Sequence, residues 1–252
     1  MKRYCMVIVS MVLLFTFSHI SPVFAAKNPK TILEYHHDVT GDGQPEKITV
    51  YGTPLKDNKD YYYEVWAEVE GKGISKIQIN YEGGFEPKLE FADLNHDGVD
   101  DILFSSATGG SGGIYNYALH TVKDGKIYEI PLPEPLSIES SFQNNFKAIM
   151  TIPGMKNPIH LDLSSRKEDY IKLGLYQKNG MLNEPNELMI DPIAYFKIVK
   201  IKGKEGYGLK SYRQVSGAVH ADVIGIVEVR SYYENGKWNM IDVQWKPTKI
   251  TR

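Results

Sequence analysis

Apolar and polar residues alternate through most of this chain. Tyr61–Val69 reads YYYEVWAEV, and Ile74–Tyr81, Ile102–Ser106 and Ile114–Val122 repeat the pattern. Alternation carried by β-branched and aromatic residues predicts strands with one buried face. Asp124-Gly125 and Asn235-Gly236 each sit between two such runs, and this pair type favours the tight turn of a hairpin. The second of them joins Val223–Tyr233 to Trp238–Trp245. One stretch has helical spacing: Ser165 and Glu168 form a capping box, Tyr170, Leu173 and Tyr176 make an apolar stripe, and Asn179-Gly180 ends it. The expectation is a mainly β protein of antiparallel strands with one short helix in its second half.

Two segments break the alternation with oxygen-bearing residues at fixed spacing. In DLNHDGVDD, Asp93, Asn95, Asp97 and Asp101 occupy loop positions 1, 3, 5 and 9, and the Val99 carbonyl is available at position 7. Gly98 sits at position 6, where the chain must turn sharply. Hard cations such as Ca²⁺ take six to eight oxygen ligands from such a loop. A weaker copy, DVTGDGQPE, begins 55 residues earlier and offers Asp38, Thr40, Asp42, Gln44 (by its carbonyl) and Glu46. An EF-hand is excluded, because position 12 is Thr49 or Phe104 instead of Glu and the flanks are strand-like. Without a cation, Asp93, Asp97 and Asp101 would repel one another. Calcium is therefore the expected cofactor. Asp100 is expected to face solvent.

On these residues the chain resembles the FG-GAP/VCBS repeats, whose loops follow the pattern DxDxDGxxD. The resemblance covers about residues 31–122, where Leu33-Glu34-Tyr35 and Leu89-Glu90-Phe91 also share a frame. It implies β-propeller-like repeats, calcium at the loops, and a layout like that of exported proteins of Gram-positive bacteria. It implies no activity. Aligned on the same frame, Lys200–Gly208 places Lys200, Lys202 and Lys204 where ligands would stand, and a solvated lysine-rich turn is the favoured reading there.

Composition sets the address. Residues 1–25 read as an export signal: Lys2 and Arg3, then an apolar run Met6–Phe17, then Val23-Phe24-Ala25 for cleavage. Ser18, His19 and Ser21-Pro22 interrupt that run, so no stable membrane span is expected after cleavage. The single cysteine, Cys5, lies inside the signal, which excludes a disulfide frame or thiolate chemistry from the mature chain. A formal net charge of −2 argues against a nucleic-acid partner. Pro131-Leu132-Pro133-Glu134-Pro135 marks a seam between calcium-loop repeats at 26–130 and degenerate repeats at 131–252 within the same propeller-like domain.

Catalytic patterns are weaker. Gly109–Gly113 satisfies G-x-S-x-G around Ser111, with His120, His160 or His220 as conceivable bases. That motif requires a strand–turn–helix elbow, and IYNYALHTV after it is strand-like. His36-His37 would diverge on a strand, and His220 with Asp222 suggests only a structural pair. The reading is a secreted or envelope-associated binding or structural protein with a protein or glycan ligand. A hydrolase using a pocket near Gly109–Gly113 is the alternative.

Overall fold

The structure, a computed structural model, describes residues 28–248. The segment read as an export signal, with Cys5 inside it, lies outside the described residues. Strands β1 (Lys30–His37), β2 (Glu46–Leu55), β3 (Asn58–Glu70), β4 (Ile77–Ala92), β5 (Asp101–Ala107), β6 (Tyr115–Lys123) and β7 (Lys126–Glu129) pair in chain order as one antiparallel seven-stranded sheet. Beyond the proline-rich stretch, β8 (Glu139–Gln143), β9 (Lys147–Thr151) and β10 (Ile159–Asp162) form a second sheet. Helix α1 (Lys167–Lys172) follows it. Strands β11 (Met189–Lys200), β12 (Tyr207–Ser216), β13 (Val223–Glu234) and β14 (Lys237–Pro247) form a third sheet. The protein is mainly β, and its described residues close neither a barrel nor a propeller. Both expected hairpins are present: Asp124-Gly125 and Asn235-Gly236 all have positive φ, as a two-residue primed turn requires.

The long strand β4 turns the seven-stranded sheet into two layers. Ile77–Phe85 pairs with β3, whereas Phe85–Ala92 pairs with β5, and the register breaks between Phe85 and Lys88. Ser106 Oγ donates to the Gly83 carbonyl at 3.1 Å, and Asn116 Nδ2 donates to the same oxygen at 2.8 Å, which pins the corner. Val65, Ala67, Val69 and Ile79 from one layer meet Leu89, Ile102, Phe104 and Val122 from the other in a single buried cluster. Each such side chain contributes roughly 1.5–3 kcal/mol of transfer free energy. The curl is deep enough to bring β1 against β4, where Tyr35 packs edge-on against Phe91 and accepts the Leu89 amide N–H at 3.2 Å.

A second cluster, including Phe142, Met150, Tyr170, Tyr176, Val215 and Val227, fills the C-terminal half. A third joins the halves, with Leu94, Leu103 and Leu119 against Phe196 and Leu209.

The helix departs from expectation. A 3-10 turn, Ser164–Arg166, leads into α1, no side chain caps α1, and the Ser164 amide donates to Asp162 Oδ1 at 2.9 Å. The helix stops early because Gly174, at φ +78°, adopts the left-handed conformation that ends helices. Leu173 is consequently 55% exposed, while Tyr170 and Tyr176 are buried as the stripe requires. Asn179-Gly180 closes a separate turn, with the Gly180 amide donating to the Gln177 carbonyl. Lys200–Gly208 spans the turn from the end of β11 to the start of β12, where Lys204 pairs with Glu234 at 3.1 Å.

Candidate metal centre

The two Asp-rich segments are equivalent joints, one between β1 and β2 and the other between β4 and β5. Because β1 curls onto β4, the joints lie side by side. A Cβ added at Gly41 would fall 2.6 Å from Val99 Cγ2. His37 Nε2 lies 2.7 Å from Asp100 Oδ2, and the His37 ring stacks on Phe91 at 4.4 Å. Asp100 thus bridges the joints instead of standing free in solvent as expected. The spacing along the chain carried no signal of this pairing.

Both loops share one wiring. At position 1, Asp38 Oδ2 accepts the Gly43 amide at 2.8 Å, and Asp93 Oδ2 accepts the Gly98 amide at 3.0 Å. At position 5, Asp42 accepts the Gln44 amide at 2.7 Å, and Asp97 accepts the Val99 amide at 3.0 Å. At position 9, Glu46 accepts the Val39 amide, and Asp101 accepts the Leu94 amide. Glycine is needed at position 6, since Gly43 and Gly98 have φ of +83° and +90°.

Asp93 and Asn95 turn into the loop. Their Oδ1 atoms both accept the Asp97 amide, at 3.2 and 2.9 Å, so they converge on that N–H. Thr40 differs, its hydroxyl donating to Glu46 Oε1 at 3.2 Å. Asp101 is 0% exposed and Glu46 is 2% exposed. Both oxygens of Asp101 are engaged, by the amides of Leu94 and Asn95 and by Asn95 Nδ2. Burial pushes its pKa up to about 7, against the opposing pull of those amide donors. No group of three or more His, Cys, Asp or Glu side chains among the described residues is placed to hold a metal ion. The Oδ1 atoms of Asp93 and Asn95 are occupied by the Asp97 N–H, as the oxygens of Asp101 are by their own donors, so a cation would have to share or displace these amides.

The tip of the second loop reaches the third sheet. His96 stacks on Tyr232 at 4.2 Å, its ring lies against Gly206, and its buried Nε2 has no partner.

The Gly109–Gly113 run is a bend between β5 and β6 with no helix after it. It borders a cavity of about 500 Å³ that also takes in Ser111, Asp191, Gln214 and His220. His220 Nδ1 lies 3.0 Å from Asp191 Oδ1, so the partner of His220 is Asp191 and not Asp222. Asp222 instead accepts from Arg166 Nε at 2.5 Å and from the Tyr170 hydroxyl. Asp191 escaped the sequence reading because only the fold brings β11 to the turn that carries His220. His220 is 70% exposed at its side chain and makes no hydrogen bond to Ser111.

Residues 136–246 match the family model described as the YybI C-terminal domain. Over 214 residues the chain is 25% identical to the uncharacterized protein YybI of Bacillus subtilis (strain 168), spanning 82% of this chain and 79% of that protein. No solved structure matches. These matches overturn the FG-GAP/VCBS assignment: the chain is similar to YybI along most of its length, and nothing in the matches is a repeat of that type. The physical reason is that a nine-residue Asp-rich turn is a local solution open to any two strands, so its spelling does not identify a fold.

Proposed function

We propose that this chain is an exported calcium-binding β protein with a binding or envelope-structural role toward a protein or glycan ligand. The duplicated wiring of the two loops supports the calcium half of that reading. Position 1, position 5 and position 9 acids accept matching backbone amides in both loops. On this reading Asp93, Asn95, Asp97, the Val99 carbonyl and Asp101 hold one ion. Asp38, Thr40, Asp42, the Gln44 carbonyl and Glu46 hold a second, weaker one. The ion neutralises clustered carboxylates and fixes the paired joints. Of the repeat expectation, only the strand–loop–strand unit is carried forward.

Extracellular modules bind calcium at about 10⁻⁴–10⁻³ M. At one hundred times the dissociation constant, the ion stabilises the fold by about 2.7 kcal/mol. For a domain of this size that is a rise of roughly 5–11 °C in Tm. Calorimetric titration of the chain, beside Asp97→Ala and Asp42→Ala, tests it. A melting temperature indifferent to calcium in the unsubstituted chain refutes the calcium role.

An extracellular hydrolase is the second reading, favoured by the His220–Asp191 pair beside Ser111 in one cavity. The exposure of His220 places it second. Labelling by a fluorophosphonate that vanishes in Ser111→Ala would reverse the order.

A further inference from the structure

The first layer of the folded sheet has an outward face with its own chemistry. Along β3, Val65, Ala67 and Val69 enter the core, so Glu64, Trp66 and Glu68 point away from it. Along β4, Gln78, Asn80 and Glu82 do the same. Register sets these side chains in rows: Trp66 lies between Tyr51 and Asn80, Glu68 between Thr49 and Gln78, and Glu64 between Thr53 and Glu82. The Trp66 and Tyr51 rings stack at 5.5 Å with 20° between their planes. A groove of about 820 Å³ runs over this face, with Tyr61 and Tyr63 at one end.

Two features define what this groove recognises. Its centre is aromatic, and carboxylates stand one strand repeat away on either side, roughly 6.6 Å along the chain. Among the described residues, its lining contains Glu64, Glu68 and Glu82 and no Lys or Arg. Lys76, outside the groove, pairs with Glu68 at 2.6 Å and Glu70 at 3.2 Å. Glu64 and Glu82 stand opposite each other in the ladder. Glu64 accepts the Thr53 hydroxyl at 3.2 Å. Glu82 is exposed at the groove's edge.

We propose that this face binds an oligosaccharide of amino-bearing pyranoses. One sugar ring lays its C–H face on Trp66, which presents a flat apolar surface of the right width. Its ammonium group sits at Glu82, within reach of the aromatic faces that also favour cations. Asn80 and Gln78 meet the hydroxyls. Acids alone would serve a cationic peptide equally well. The aromatic pair between them is what favours a ring-shaped ligand.

This inference rests on the ligand-binding half of the proposed function and is independent of the calcium half. The test is titration of the full chain with glucosamine hexamer, followed by tryptophan fluorescence and calorimetry, in calcium and again in EDTA. Saturable binding is expected in both buffers, so a failed calcium role and a failed glycan site read out separately. Glu82→Gln, on an exposed side chain, should weaken binding about fivefold. Trp66→Ala should weaken it about tenfold and abolish the fluorescence change, its folding being checked by circular dichroism. Absence of saturation overturns the proposal, as does binding unchanged in both variants. Equal affinity for N-acetylglucosamine hexamer or cellohexaose overturns it too, because charge would then play no part. Oligolysine binding that is lost in Glu82→Gln but kept in Trp66→Ala would replace the sugar with a basic peptide.

Discussion

If the two Asp-rich joints touch as described, substitutions on opposite sides of the contact must interact. Gly41 has φ +76°, and an added Cβ would meet Val99 Cγ2 at 2.6 Å. Gly41→Ala therefore carries two penalties. The left-handed backbone costs about 1–2 kcal/mol for a residue with a Cβ. Overpacking against Val99 adds about 1 kcal/mol or more. Val99→Ala alone removes two half-buried methyl groups and costs about 1 kcal/mol. In the double variant the truncated Val99 no longer obstructs the new Cβ, so the overpacking penalty disappears while the backbone penalty stays. The pair should be less destabilising than the sum of the singles by about 1 kcal/mol. Urea unfolding of the four proteins measures this, and the same shortfall appears as roughly 2–4 °C in thermal midpoints. Additivity within about 0.3–0.5 kcal/mol would mean that the joints are not in contact. The side-by-side arrangement would then be wrong.

Other outcomes follow from particular groups. Burial holds the pKa of His120 below its ordinary value, opposed only by the charge of Glu129. Unfolded chains then bind the proton first, so stability is full above about pH 6.5 and is lost as pH falls toward the depressed value. His120→Phe should flatten that acid-side slope by up to about 1.4 kcal/mol per pH unit, and superimposable pH–stability curves would count against it. Tyr176→Phe deletes a buried hydroxyl that donates to the Gln143 carbonyl at 2.7 Å and should cost about 1–3 kcal/mol in chemical denaturation. Asp222→Asn leaves Arg166 without its carboxylate and the Tyr170 hydroxyl with a weaker acceptor. A loss of about 3 kcal/mol is expected by the same assay, and a loss under 1 kcal/mol would show that the pair is not closed in solution.

Strand content was legible because a pleated strand with one buried face writes itself as alternation, and Asp-Gly and Asn-Gly mark hairpins by their tolerance of positive φ. The helix was located but its ends were misread. Gly174 mattered more than the distant Asn179-Gly180, and Asp162 more than the Ser165 box, because local hydrogen bonding decides ends. The loops were legible as oxygen-rich turns, yet their pairing depends on a corner at Gly83–Glu86 that alternation cannot signal. Asp191 and His220, and likewise His37 and Asp100, meet only through tertiary structure. The outward row of Trp66, Asn80 and Tyr51 was hidden for the same reason: it crosses three strands.

One strand, β4, is hydrogen-bonded into both layers of the N-terminal half. Neither layer can therefore peel away while the other stands, since detaching either one strips one half of the same backbone segment. A fragment ending before Ala92 should fail to keep even its first four strands, because their apolar face would lose Ile102, Phe104 and Val122 as its lid. Loosening of this half under heat or force should accordingly proceed in a single step.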